Sequence, residues 1–219
     1  MSKIGTGIVF FFLVGSALFG TAQTAKIEAA GPLAGAGISD AIRNALQSRG
    51  FRVILDDGSV AAEIWLRRDL PAPEKKEGSG AIYPQLAEST LVAVISFPTA
   101  ATDYRGQSIK PGTYTLRYAL LPNDGNHLGV APNRDFLLLI PAASDSDPTA
   151  CYKFEALVNL SRQATGTAHP APMSMVPPQN GAGPSISKDE DDHWVFSAKL
   201  TVGSAELPIA LVVKGTAPQ

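Results

Sequence analysis

Three histidines are the only imidazoles in this 219-residue chain, and they head the short list of side chains able to do acid–base or metal chemistry at neutral pH. His127 follows the turn-forming run Asn123-Asp124-Gly125-Asn126, and Asp135 opens the next apolar run. His169 lies in the segment ATGTAHPAPMSM. Loops that gather His127, Asp135 and His169 at one end of a fold would make a two-histidine, one-carboxylate set able to hold a zinc ion. With the thioethers of Met173 and Met175 beside His169, the same region offers soft ligands for copper. No HxH, HxxxH or HExxH spacing is present to fix such a set in advance, so lone loop histidines bonded to backbone carbonyls are the competing reading. His193 ends the acidic run Asp189-Glu190-Asp191-Asp192. That run lacks the order of a calcium loop and reads as a solvated turn.

Nucleophilic catalysis has little to stand on. There is no G-x-S-x-G elbow, and the single cysteine, Cys151, has no adjacent base in sequence and reads as a buried, inert thiol. Aromatic residues on or beside predicted strands are the alternative functional surface. Tyr104, Arg134 and Trp194 are the expected ligand-binding residues, for a small molecule, a glycan or a protein.

The elements that must position these residues are mostly strands. Phe51–Leu55 and Val60–Arg67 flank the turn Asp56-Asp57-Gly58-Ser59, with Ala62, Ile64 and Leu66 on one face. Leu91–Phe97 is a continuous apolar run, hence a buried strand. Thr113–Leu120 alternates, placing Tyr114, Leu116 and Tyr118 inward and Thr113, Thr115 and Arg117 outward, as in a half-buried antiparallel strand. Phe136–Ile140, a short stretch at Met173–Val176, and the hairpin Trp194–Val202 with Glu206–Val213 complete the set. Two short helices are expected at the periphery: Ser39–Ser48, capped by Ser39, and Tyr152–Gln163, entered through Asp147-Pro148. About seven strands with short turns predict a mainly β, antiparallel β-sandwich, Ig-like or transthyretin-like. It spans residues 37–216 as one domain, with a flexible leader at 23–36 and a solvated loop at 70–80.

The stretch from Gln107 to Leu116, QSIKPGTYTL, resembles the G-x-x-I-x-P-G-T-Y-T-L hairpin of exported bacterial sandwich domains, transthyretin-like modules and domains of unknown function among them. The longer pattern DYRGQSIKPGTYTLRY, PNDGNHLG and RDFLLLIPA, over Asp103–Ala142, resembles uncharacterised exported proteins of soil bacteria. The resemblance implies fold and export, and no activity.

The N-terminus agrees with export. Lys3, the apolar run Ile8–Phe19 and the small residues Gly20-Thr21-Ala22 read as a signal peptide over residues 1–22, with cleavage after Ala22 or, alternatively, Ala25. The apolar run is too short for a comfortable membrane span. Acidic residues outnumber basic ones, 20 to 18, and no basic block is present, which argues against nucleic-acid binding. The sequence therefore predicts an exported, periplasmic or extracellular, non-catalytic binding or envelope-associated protein without a cofactor. The alternative is a zinc or copper protein, or a metal-dependent enzyme, built on His127, Asp135 and His169.

Overall fold

The structure, a computed structural model, describes residues 24–35, 37–72, 80–122, 133–178, 181 and 183–217. Short extended runs, some joined by tight turns and others through helices or longer connections, build one antiparallel sheet of ten strands. β1 (Lys26–Ala30) pairs with β2 (Gly50–Ile54), β2 with β3 (Val60–Leu66) and β3 with β4 (Leu91–Phe97). A small ribbon of β5 (Ala101–Thr102) and β6 (Ser108–Ile109) then leads to β7 (Gly112–Leu120), which lies between β4 and β8 (Asp135–Pro141). β9 (Pro172–Val176) gives its first residues to β8 and its last to β12 (Ala205–Lys214). β11 (Trp194–Val202) and β10 (Ser185–Lys188) follow. The sheet curls until its edge strands β1 and β10 lie against each other, so the whole is nearly barrel-shaped.

The expected mainly β, antiparallel character is what the chain adopts. Inward residues from every part of the sheet, among them Ile64, Ile95, Leu116, Leu139, Met175, Phe196 and Leu211, share one apolar interior, which Tyr83 and Leu86 of the 80–90 segment plug. Met173 and Met175 both point into this interior, as residues two apart on a strand must.

Two helices cover the outside. α1 (Asp40–Ala45) is capped by Ser39, whose hydroxyl accepts from Ile42 N at 3.1 Å. It ends at Ala45 rather than Ser48 because Leu46 bridges to Arg67. α2 (Phe154–Thr165) begins two residues later than expected, and Asp147 caps its own turn by accepting from Thr149 N at 2.8 Å. Gly166, at φ 68°, ends α2 in the left-handed conformation that glycine adopts without cost. Among the described residues, no helix is long and apolar enough to cross a membrane.

Three expectations meet a different outcome. Residues 23–36 were expected as a flexible leader, yet Lys26–Ala30 is β1; its side chains are mostly exposed, and backbone pairing with little apolar burial, from Ile27 and Ala30, carries it. Cys151, expected to be buried, is exposed, because it precedes α2 on the outside of the sheet. β7, expected to be half-buried, is covered on both faces. Its outward residues Thr115 and Arg117 lie beneath the segment that runs from β8 to α2. The solvated loop expected at 70–80 falls largely outside the described residues, but Leu70 is buried and bridges to Val202.

Candidate functional site

α2 lies along β8, and its buried face (Leu157, Ser161, Ala164) holds it there. A second stripe, Phe154, Val158 and Arg162, follows the i, i+4, i+8 spacing that aligns side chains along one helix edge. This stripe is one wall of a cleft of about 230 Å³. The floor is the outer face of the sheet, contributed by Ala119 of β7, Phe136 and Leu138 of β8 and Pro172 of β9. Tyr104 and Arg105 form the opposite wall, and His169 and Pro170 close one end. Phe154 is 37 % exposed, the one large apolar side chain in that state among the described residues.

Tyr104 is held from several sides. Its N–H donates to Pro172 O and its carbonyl accepts from Ala217 N, both at 2.8 Å. Its ring packs against Phe136 and, edge-on, against His193 at 5.6 Å. Burial pushes its phenol above the ordinary value, and the carboxylates of Asp191 and Asp189 push the same way. The turn that carries Arg105 is closed by Asp103, which accepts from Arg105 N at 2.9 Å and Gln107 N at 2.8 Å. Burial of Asp103 raises its pKa, against the hydrogen bonds from Gln107 that lower it.

The sequence-predicted residues divide between this cleft and the interior. Tyr104 and His169 both line the cleft. Trp194 is buried in the interior, with the Lys188 ammonium 5.2 Å from its ring centroid. Arg134 donates from Nε to Leu121 O at 2.8 Å and closes the base of the β7–β8 connection. Asp135 faces inward beside Tyr118, whereas its neighbour Phe136 faces the cleft that holds His169. Asp135 and His169 thus stand on opposite faces of the sheet, an arrangement that alternation along β8 enforces. Both carboxylate oxygens of Asp135 already accept hydrogen bonds, from Ile82 N, Tyr83 N and the Tyr118 hydroxyl. His127 lies outside the described residues. Among the described residues, no three His, Cys, Asp or Glu side chains are grouped so as to hold a metal ion.

His193 is a strut. Nδ1 meets Asp189 Oδ2 at 3.1 Å and Nε2 meets Thr216 O at 2.8 Å, so the ring straps the C-terminal tail beside Tyr104. Gly215, at φ 141°, lies so close that a Cβ there would fall on the His193 ring. Gly215→Ala is expected to cost about 2–3 kcal/mol of stability, from overpacking and backbone strain together, read as a shifted denaturant midpoint. An unchanged midpoint would mean that the tail is not held in this way.

Phe154, Val158, Arg162 and Arg105 were not singled out from the sequence. The available signal was the width of the apolar face of α2: Phe154 and Val158 with Leu157 and Leu160 span more than one helix stripe, and one stripe suffices for packing on a sheet. The chain has no significant match among protein-family models, curated proteins or solved structures.

Proposed function

We propose that this chain is an exported, non-catalytic binding protein whose ligand sits in the cleft between α2 and the outer face of β7–β9. The observation that carries this reading is Phe154, left exposed at the lip of a cleft floored by Phe136, Leu138 and Ala119. An apolar recess with a few polar groups at its edge is the usual form of a small-molecule site. A volume of about 230 Å³ lies below the ~300–1,000 Å³ of drug-sized pockets, so the ligand is small.

Export is supported by the signal-like residues 1–22 and by the likeness of Asp103–Ala142 to exported hairpins; cleavage after Ala22 leaves β1 whole. The sandwich reading of the fold is supported by β9, which pairs with β8 at one end and β12 at the other. A strand that switches partners in this way turns the corner between two packed layers.

Expression of the full-length chain in a bacterial host tests the reading. The product is expected in the periplasm, where it binds N-phenyl-1-naphthylamine, a neutral apolar fluorophore, with one-to-one saturation. Val158→Trp, which fills the cleft, is expected to abolish the fluorescence gain without unfolding the protein. A folded protein that never binds the probe, or a Val158→Trp variant that binds it equally well, would overturn the assignment of the cleft.

A further inference from the structure

We infer that the ligand of this cleft is a small monocarboxylic acid, with its apolar body on the floor and its carboxylate between Arg105, Arg162 and His169; this inference rests on the cleft being the binding site. The charge of the rim is the first reason. Arg105, Arg162 and His169 line the cleft, and no acidic residue does so among the described residues. In a chain where acids outnumber bases, this is a local inversion of sign, and it faces an otherwise apolar recess.

The two guanidiniums also have donors to give. Among the described residues, neither Arg105 nor Arg162 is in an ion pair. Arg162 donates from one nitrogen to Asn159 Oδ1 at 2.7 Å, which leaves further N–H groups of its fork. Asp103, the acid nearest Arg105 in sequence, turns its oxygens into its own turn, toward the backbone N–H groups of Arg105 and Gln107 and the Gln107 amide. A planar carboxylate matches the guanidinium fork with two parallel hydrogen bonds, and its apolar remainder suits the floor as a compact phosphate would not.

The rim is also built in advance. Gln107 Nε2 donates to Asp103 Oδ2 at 2.7 Å and to Pro170 O at 2.8 Å, while its Oε1 accepts from the Thr167 hydroxyl at 2.7 Å. Thr167 and Thr165 in turn hold His169 through its N–H and carbonyl. One amide thus bolts the Arg105 turn to the His169 loop, so little ordering remains for a ligand to induce. The apolar floor excludes a highly charged or sugar-like body, and a cleft of about 230 Å³ admits only a small acid.

Matched acids and alcohols decide the matter. Octanoic acid, 1-octanol, 4-phenylbutyric acid and 4-phenyl-1-butanol are titrated as competitors of N-phenyl-1-naphthylamine. Each acid is expected to bind at least tenfold tighter than its alcohol, the worth of a charge-assisted hydrogen bond. That preference is expected to collapse toward unity in the Arg105→Glu/Arg162→Glu variant, with circular dichroism and thermal melting as controls for folding. If the double variant fails to fold, Arg105→Gln and Arg162→Gln singly are expected to reduce the preference severalfold each. Equal binding of acid and alcohol, or a preference that survives these substitutions, would overturn the carboxylate assignment while the cleft remained a binding site. Failure of every competitor to displace the probe, together with binding unaffected by Val158→Trp, would remove both.

Discussion

Arg117→Met is expected to destabilise the protein by about 3–5 kcal/mol, the cost of leaving a buried charge without its partner. Arg117 and Asp145 are both 0 % exposed at their side chains. Their pairing is bidentate: Nε to Oδ2 at 2.7 Å and one terminal nitrogen to Oδ1 at 2.8 Å. The remaining guanidinium donors go to the carbonyls of Ser89, Ala150 and Asp147, at 2.7, 2.9 and 2.6 Å. All of the donors of the fork are therefore used, and the Tyr152 ring lies 4.9 Å from the guanidinium carbon. Asp145 is as fully engaged, accepting also from Thr115 Oγ1 at 2.6 Å and Tyr152 Oη at 3.3 Å. Lysine cannot reproduce this fork, so Arg117→Lys is expected to lose most of the same stability. Arg117→Met combined with Asp145→Leu should cost clearly less than the sum of the two single changes, because the second change removes the stranded charge. Denaturant titration reads these differences. A Met variant within about 1 kcal/mol of the parent protein would show that the pair is not the anchor described.

The consequence reaches the cleft. Arg117 fastens the 145–150 segment that delivers the chain to α2, and Tyr152 N donates to Ser89 Oγ at 2.7 Å just before the helix begins. Phe154, Val158 and Arg162 therefore hang from an anchor on the same outer face of β7 that supplies Ala119 to the cleft floor. On the proposed reading of the cleft, a single arginine in the middle of a strand couples stability to ligand binding.

Alternation along TYTLRYAL predicts which way Arg117 points and says nothing about what covers it. An arginine on the outer face of a strand reads as solvated, and the covering segment comes from about thirty residues further along the chain. That is why β7 was legible as a strand and its burial on both sides was not. The edge strands failed for the opposite reason. KIEAA and SISK carry little buried side-chain surface, so periodicity has nothing to report, and polar edges of this kind are how sheets avoid pairing with other chains. Leu91–Phe97 and the β11–β12 hairpin were plain because both bury apolar faces in the shared interior. At the cleft, Tyr104 and His169 were legible as chemistry-bearing types near strand ends. Arg105 and Arg162 were not, since an exposed arginine becomes informative only when a recess without acids is seen beside it.

Asp135 separates the metal reading of the sequence from the structural one. As an anchor it holds the interior plug: Oδ2 accepts from Ile82 N at 3.0 Å, and Oδ1 from Tyr83 N at 3.0 Å and the Tyr118 hydroxyl at 2.6 Å. Tyr83 then donates to Val176 O at 2.5 Å and accepts from Ala210 N at 2.9 Å, bridging β9 and β12 where their pairing is short. Asp135→Ala strands two buried donors and a partly buried one, and is expected to cost about 3–5 kcal/mol in metal-free buffer with chelator present. A purely metal-binding carboxylate would show no such loss there, so unchanged stability in chelator would sink the anchor role. The plug has a pH signature of its own. Burial pushes the Tyr83 phenol up to about 12, while in the unfolded chain a tyrosine ionises near 10. Between these values the unfolded state sheds a proton that the native state retains, so stability falls as pH rises through this window. Tyr83→Phe is expected to be less stable than the parent at neutral pH, because Val176 O and Ala210 N lose their bridge, yet to decline less steeply from pH 10 upward. Parallel pH profiles for the two proteins would mean that Tyr83 titrates as an exposed phenol and does not plug the sheet.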